Sequence, residues 1–196
     1  YLISSFWAGQ EGSVLFWVFC GAWVGKTLIP RAKPSSLLFY SLIQGILSII
    51  LLLNNPFAEL NIIPGEGLGL NSLLQNPWMA FHPPFIFLGY ASLAVPYVLA
   101  LGSLLSKGQT EWNIRAFPWT LWGWLNLGTG IFMGAFWAYQ VLGWGGYWSW
   151  DPVENASLIP WLTGGALIHG LLMEKRQGKM IRSNFVLAIG TYLLVI

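Results

Sequence analysis

Charge is scarce in this sequence. Only 8% of the 196 residues are Asp, Glu, Lys or Arg, against about 25% in a soluble globular domain. Cysteine is nearly absent. Cys20 stands alone inside an apolar run, which excludes an intramolecular disulfide. With no second Cys and only two His, a zinc or iron–sulfur centre is excluded as well. No basic stretch or low-complexity segment is present, so the pattern carries no nucleic-acid-binding signature. What remains is apolar: 56% of the chain is hydrophobic and 13 residues are Trp, with a mean hydropathy of +0.61. A chain of this composition needs the bilayer as its solvent. Trp suits that boundary, where its ring is buried and its N–H stays wet.

Apolar runs cover residues 12–28, 37–53, 83–105, 117–142, 152–173 and 185–196. The first five are long enough to cross about 30 Å of hydrocarbon; the last is too short. The sequence is therefore expected to be a piece of a longer or split protein, forming one membrane domain over residues 1–196. The nine Lys and Arg fall in alternate connections: Lys26, Arg31 and Lys33; Lys107 and Arg115; Lys175, Arg176, Lys179 and Arg182. The other connections and the N-terminus carry Glu11, Glu59, Glu66, Asp151 and Glu154 instead. Basic loops stay inside. The fold expected is an all-α polytopic bundle, with at least five complete transmembrane helices, a partial sixth and the N-terminus outside.

The densest aromatic cluster lies in an outer connection. Trp144, Gly145, Gly146, Tyr147, Trp148, Ser149, Trp150 and Asp151 follow one another. The paired glycines let the backbone turn sharply and let a flat ligand approach. Aromatic faces at this density suit a large planar molecule with polar edges, such as a porphyrin. An interfacial aromatic belt is the alternative. Asp151, Pro152 and Glu154 form a capping-box pattern, which predicts a helix from Pro152. Asp151 is thus a structural cap, a site residue, or both.

The two histidines differ in setting. His82 precedes Pro83 and Pro84, which fit the first turn of a helix; this places His82 just before a span, on the outer side. A neutral imidazole there suits axial ligation of iron, and helix capping is the alternative. His169 lies 17 residues after Pro152, about 26 Å along a helix, in the inner half of the bilayer. An ionisable group at that depth reads as functional; the alternative is a neutral His donating to a neighbouring helix. Gly164, Gly165 and Gly170 thin the same helix, and Pro160 predicts a kink in it.

The run from Trp144 to Asp151 resembles the tryptophan-rich WWD signature of the haem-handling protein superfamily. Its continuation from Pro152 through Val153, Glu154, Asn155 and Ala156 to Pro160, Trp161 and Leu162 resembles the CcmF/NrfE-type cytochrome c haem lyases in particular. Asn76-Pro77, His82-Pro83-Pro84-Phe85, Gly89-Tyr90 and Gln10-Glu11-Gly12-Ser13 are similar to the same branch. The resemblance implies that residues 143–157 form an external haem-binding loop, with Trp144, Gly145, Gly146, Trp148, Trp150 and Asp151 as its platform. It implies that His82 is the external axial ligand and His169 the ligand of a transmembrane haem b; in the family each has a partner His further along, and neither partner is in this sequence, which has no third His.

The expected function is attachment of haem to the Cys-x-x-Cys-His motif of apocytochrome c, a lyase activity made mostly of positioning. Implied partners are apocytochrome c, maturation proteins of the haem-chaperone and thiol-reductase types, the remainder of the split or truncated chain, quinol and the lipid bilayer. The implied location is a bacterial or mitochondrial inner membrane, with the Trp-rich loop facing periplasm or intermembrane space. Two other classes stand beside this reading: a non-catalytic haem chaperone or exporter, and a structural subunit of a larger membrane complex. A quinone oxidoreductase or ion transporter is less favoured, because the sequence has no broken-helix pair and no acidic chain in mid-membrane.

Overall fold

The computed structural model describes residues 2–30, 32–58, 69–106, 112–143 and 145–196. Six α-helices run through them: α1 (Gln10–Leu28), α2 (Pro34–Leu53), α3 (Pro77–Leu105), α4 (Trp112–Val141), α5 (Pro152–Gln177) and α6 (Ile181–Leu193). Short 3-10 turns occupy Ser4–Trp7 and Ser72–Leu74. No strand occurs among the described residues. Arg31, Glu59, Glu66, Lys107 and Trp144 lie outside them.

The helix ends follow local chemistry. Lys33 precedes Pro34, whose fixed φ suits the first position of α2. The side chain of Asp151 accepts a hydrogen bond from the Glu154 N–H and caps α5 (2.8 Å). Gly178 closes that helix at φ 65°, its N–H donating to the Glu174 carbonyl, the left-handed ending that glycine adopts without penalty. α5 runs unbroken through Pro160. Proline has no N–H to give the carbonyl four residues back. Here that carbonyl belongs to Ala156, and the Tyr90 hydroxyl donates to it from α3 (3.4 Å).

One boundary corrects the sequence reading. Pro83 and Pro84 do not open α3. The helix begins at Pro77, because the Asn76 side chain accepts the Trp78 N–H (2.9 Å) and Pro77 takes the first position. His82 therefore sits in the second turn of α3 rather than before the helix.

α3 is the centre of the bundle and touches α1, α2, α4 and α6. Leu93, Ala94, Val95 and Val98 are all buried, so this helix is covered on every side. Its most extensive partner is α4, and small residues allow the approach. A Cβ placed on Gly89 would stand 2.8 Å from the Leu127 backbone nitrogen; one on Gly123, 3.0 Å from Leu93; one on Gly130, 2.7 Å from Ile86. These contacts are successive rungs of an antiparallel ladder, each pairing a glycine with a larger residue.

α2 lies at the edge. Tyr40, Ile43 and Leu47 face the bundle, while Leu38, Leu42, Ile46, Ile49 and Leu53 are exposed. Bare aliphatic residues along a helix fit a hydrocarbon surround. By length and composition α2, α3 and α5 are able to cross a membrane. α1 and α4 also reach 19 and 30 residues, but Gly, Trp and polar side chains replace much of their aliphatic content.

The ladder is testable by bulk. Gly89→Val is expected to force α3 from α4 and cost about 1–3 kcal/mol, seen as a lower Tm of the purified protein. Gly45, with no neighbour in reach of an added Cβ, is the control: Gly45→Ala is expected to be neutral or stabilising by up to about 1 kcal/mol. An unchanged Tm in Gly89→Val would contradict the packing described.

Candidate functional site

The next rung of the α3–α4 ladder holds His82. A Cβ on Gly134 would stand 3.2 Å from the His82 Nδ1, so glycine there lets the imidazole lie flat against α4. The ring is parallel to that of Trp137 within 11°, with centroids 6.3 Å apart. Trp137 is itself fixed, its Nε1 donating to the Leu73 carbonyl (3.2 Å). His82 is half-buried, and its Nδ1 is buried with no hydrogen-bond partner. Such an orphan is uncommon in a folded protein, because it forfeits hydration without compensation.

His82 opens onto a cavity of about 590 Å³. Its walls come from residues 7–13, from α3, from α4 and Leu142 after it, from Asp151 and the first turns of α5, and from Val195. Most of the lining is apolar. The ionisable groups on it are His82, Tyr90, Asp151 and Glu154. Trp7 also lines it, and its Nε1 is likewise buried without a partner.

The Trp-rich segment ends on this wall. Gly145 has φ 71°, a left-handed turn that glycine tolerates. Tyr147 stacks on Tyr139 at 4.3 Å and 7°, which ties the segment to the end of α4. Trp148 and Trp150 meet edge to face at 6.4 Å. Trp150 has φ 61°, a conformation that costs a non-glycine residue roughly 1–3 kcal/mol. Hydrogen bonds on both sides hold it there. Glu154 Oε2 accepts from the N–H groups of Ser149 (2.7 Å) and Trp150 (2.9 Å), and the Asn155 amide donates to the Trp150 carbonyl (3.0 Å).

The capping box is therefore only half formed. Asp151 caps α5 as its sequence predicts, but Glu154 reaches past Asp151 to the two residues before it. The Asp151 carboxyl is held below the usual carboxylate range, mainly by the Glu154 N–H and also by the Ser149 hydroxyl (3.0 Å).

Residues 7–196 match a family model described as cytochrome C assembly protein. The chain belongs to that family. It is 39% identical over 206 residues to the cytochrome c-type biogenesis protein CcmF of Pseudomonas fluorescens, covering 100% of this chain and 31% of the relative. It is 43% identical over 204 residues to the biogenesis protein CycK of Rhizobium meliloti, covering 99% and 30%. It is 41% identical over 187 residues to NrfE of Haemophilus influenzae, covering 91% and 29%. The resemblance to the CcmF/NrfE type is borne out. The chain spans about a third of the length of these relatives. Its apolar helices and its family make it a membrane protein.

The site residues read from the sequence fall into three groups. His82 and Asp151 line one cavity. Gly145, Gly146, Trp148 and Trp150 do not line it; they form the segment that leads to Asp151. His169 is apart. It is exposed on α5, on a stripe with Ile159, Leu162 and Met173, and bonds to no described residue. Trp144 lies outside the described residues. Sequence reasoning missed Trp137, Gly134, Tyr90 and the reach of Glu154. The Gly130-x-x-x-Gly134 spacing is a small-residue packing signal that would have marked the face of α4 opposite His82. Nothing in the sequence marks Trp137 as the partner of a ring 55 residues earlier.

Because the Asp151 carboxyl is depressed in the folded state, its cap is fully present above the unfolded carboxylate value of about 4 and is lost as pH falls through the lower folded value. Acidification is expected to lower the Tm of the wild type more than that of Asp151→Asn, which keeps the cap in neutral form. Asp151→Ala should cost roughly 0.5–2 kcal/mol at neutral pH. Equal acid sensitivity in all three proteins would remove this role.

Proposed function

We propose that this chain holds haem at the outer face of the membrane during cytochrome c maturation, as the haem-positioning part of a CcmF/NrfE-type lyase. The observation that carries this reading is His82: an imidazole with an orphaned buried nitrogen, beside a cavity of about 590 Å³ whose lining includes Asp151, the last residue of the Trp-rich segment. That volume lies within the range of about 300–1,000 Å³ typical of small-molecule sites. The residues fit haem. His82 offers a neutral axial nitrogen, Gly134 gives the imidazole room against α4, and the apolar walls from α3 and α4 exclude water. Asp151 joins this lining to the segment that carries Trp148 and Trp150, the proposed aromatic platform, with Trp144, Gly145 and Gly146 before them in sequence. Haem bound there supplies the vinyl groups to which the thiols of apocytochrome c add. The chain's contribution is placement, which can supply roughly 7–11 kcal/mol of a barrier; the described site needs no nucleophile–base pair.

The topology proposed with it has α1 and α4 crossing alongside α2, α3 and α5, with the N-terminus and residues 143–157 outside. His169, on a bare stripe of α5, is proposed as one ligand of a membrane haem b; a quinol would supply its electrons. Apocytochrome c and other maturation proteins are the proposed partners, in a bacterial or mitochondrial inner membrane.

Pyridine haemochrome and reduced-minus-oxidised spectra of the full-length protein test this reading. His169→Ala is expected to abolish a b-type signal. His82→Ala should lower the remaining haem and the yield of mature cytochrome c while leaving the protein in the membrane. Wild-type protein without haem, or normal cytochrome c yield from His82→Ala, would sink the proposal.

A further inference from the structure

We infer that Glu154 is a positioning residue that fixes the Trp-rich platform at the edge of the His82 cavity. This inference rests on the haem-holding role proposed above.

A merely structural role for Glu154 would be satisfied at the helix end. In a capping box the third helical residue returns to the N–H of the cap, here Asp151. Glu154 instead extends to Ser149 and Trp150, and one carboxylate oxygen accepts both N–H groups (2.7 and 2.9 Å). Hydrogen bonds to an ionised acceptor are the stronger kind. Their effect is local and specific. Trp150 is held at φ 61°, which a bulky residue seldom adopts, and the residue is left 71% exposed. Asn155 completes the hold from the carbonyl side. The cap of α5 does not need any of this, because Asp151 already supplies it.

Glu154 also lines the cavity that contains His82. Asp151 shares that wall but binds only the Ser149 hydroxyl of the segment before it. Glu154 is thus the cavity residue that grips the segment's backbone. It makes the backbone conformation of Trp150, the neighbour of Asp151 on that wall, a property of the folded protein. Fixing the platform in advance removes an ordering cost from ligand capture.

The substitutions separate position from fold. Glu154→Gln keeps an oxygen able to accept both N–H groups. Glu154→Ala removes it, and α5 keeps its Asp151 cap. Two readouts on the full-length protein in lipid nanodiscs are needed: deuterium uptake of the peptide spanning residues 147–151, and the His82-dependent haem content. Glu154→Ala is expected to speed exchange at Ser149 and Trp150 on the order of tenfold or more. It should also reduce His82-dependent haem several-fold, with the His169-dependent signal retained. Glu154→Gln is expected to restore both readouts most of the way to wild type. Unchanged exchange in Glu154→Ala overturns this inference alone, as does a freed segment with undiminished haem. Haem content that His82→Ala leaves at the wild-type level overturns the underlying reading and this inference with it.

Discussion

The close approach of α3 and α4 is the constraint on which the candidate site depends. Gly123, Gly89, Gly130 and Gly134 succeed one another along the contact, each facing a larger residue on the other helix: Leu93, Leu127, Ile86 and His82. Lipid tails are as apolar as Leu, so helices in a bilayer gain little from burying apolar surface against each other. They associate through tight packing instead, and small residues permit it. The first three rungs give α3 its dense interior. The fourth uses the same geometry to seat an imidazole, which places the candidate ligand at one end of the most extensive contact in the bundle.

The bilayer also dictates how polar backbone is handled. A carbonyl left without its helical donor in hydrocarbon is costly, and each internal proline creates one. At Pro160 the freed carbonyl of Ala156 is met by the Tyr90 hydroxyl, so a helix-disrupting residue on α5 becomes a link to α3. Tyr90 and Ala156 both line the cavity. The link therefore fixes the spacing between the wall that bears His82 and the wall that bears Asp151 and Glu154.

The N-terminal end of α5 shows how a short motif gains a second use. Asp151 alone is enough to start the helix. Glu154, freed from the reciprocal cap, is available to hold the Trp-rich segment. Rigidity there is local: Tyr147 rests on Tyr139, Trp150 is gripped from both sides, and the exposed indole projects from a fixed backbone.

Much of this was legible in the sequence, because the signals were local. Apolar runs bounded by Pro, Gly and charged residues gave the helices to within a few residues, and Asp151 with Pro152 gave the start of α5. The family was legible for a similar reason: the stretch from Trp144 to Leu162 is contiguous, so its pattern survives without the fold. Where local reading failed, a competing local signal won. Asn76 caps α3 six residues before His82, and this outweighs the more conspicuous start signal of Pro83 and Pro84.

The tertiary structure decided what sequence distance conceals. That His82 faces Gly134 and lies parallel to Trp137, and that Tyr90 answers Pro160, depends on the register of α3 against α4 and α5. Register is set by many small packing contacts at once rather than by any short motif. Residues that cap, turn or cross the bilayer act within a few positions of themselves, and the sequence determined them. Residues that build the cavity come from positions as distant as Trp7 and Ser157, and only the packed bundle brought them together.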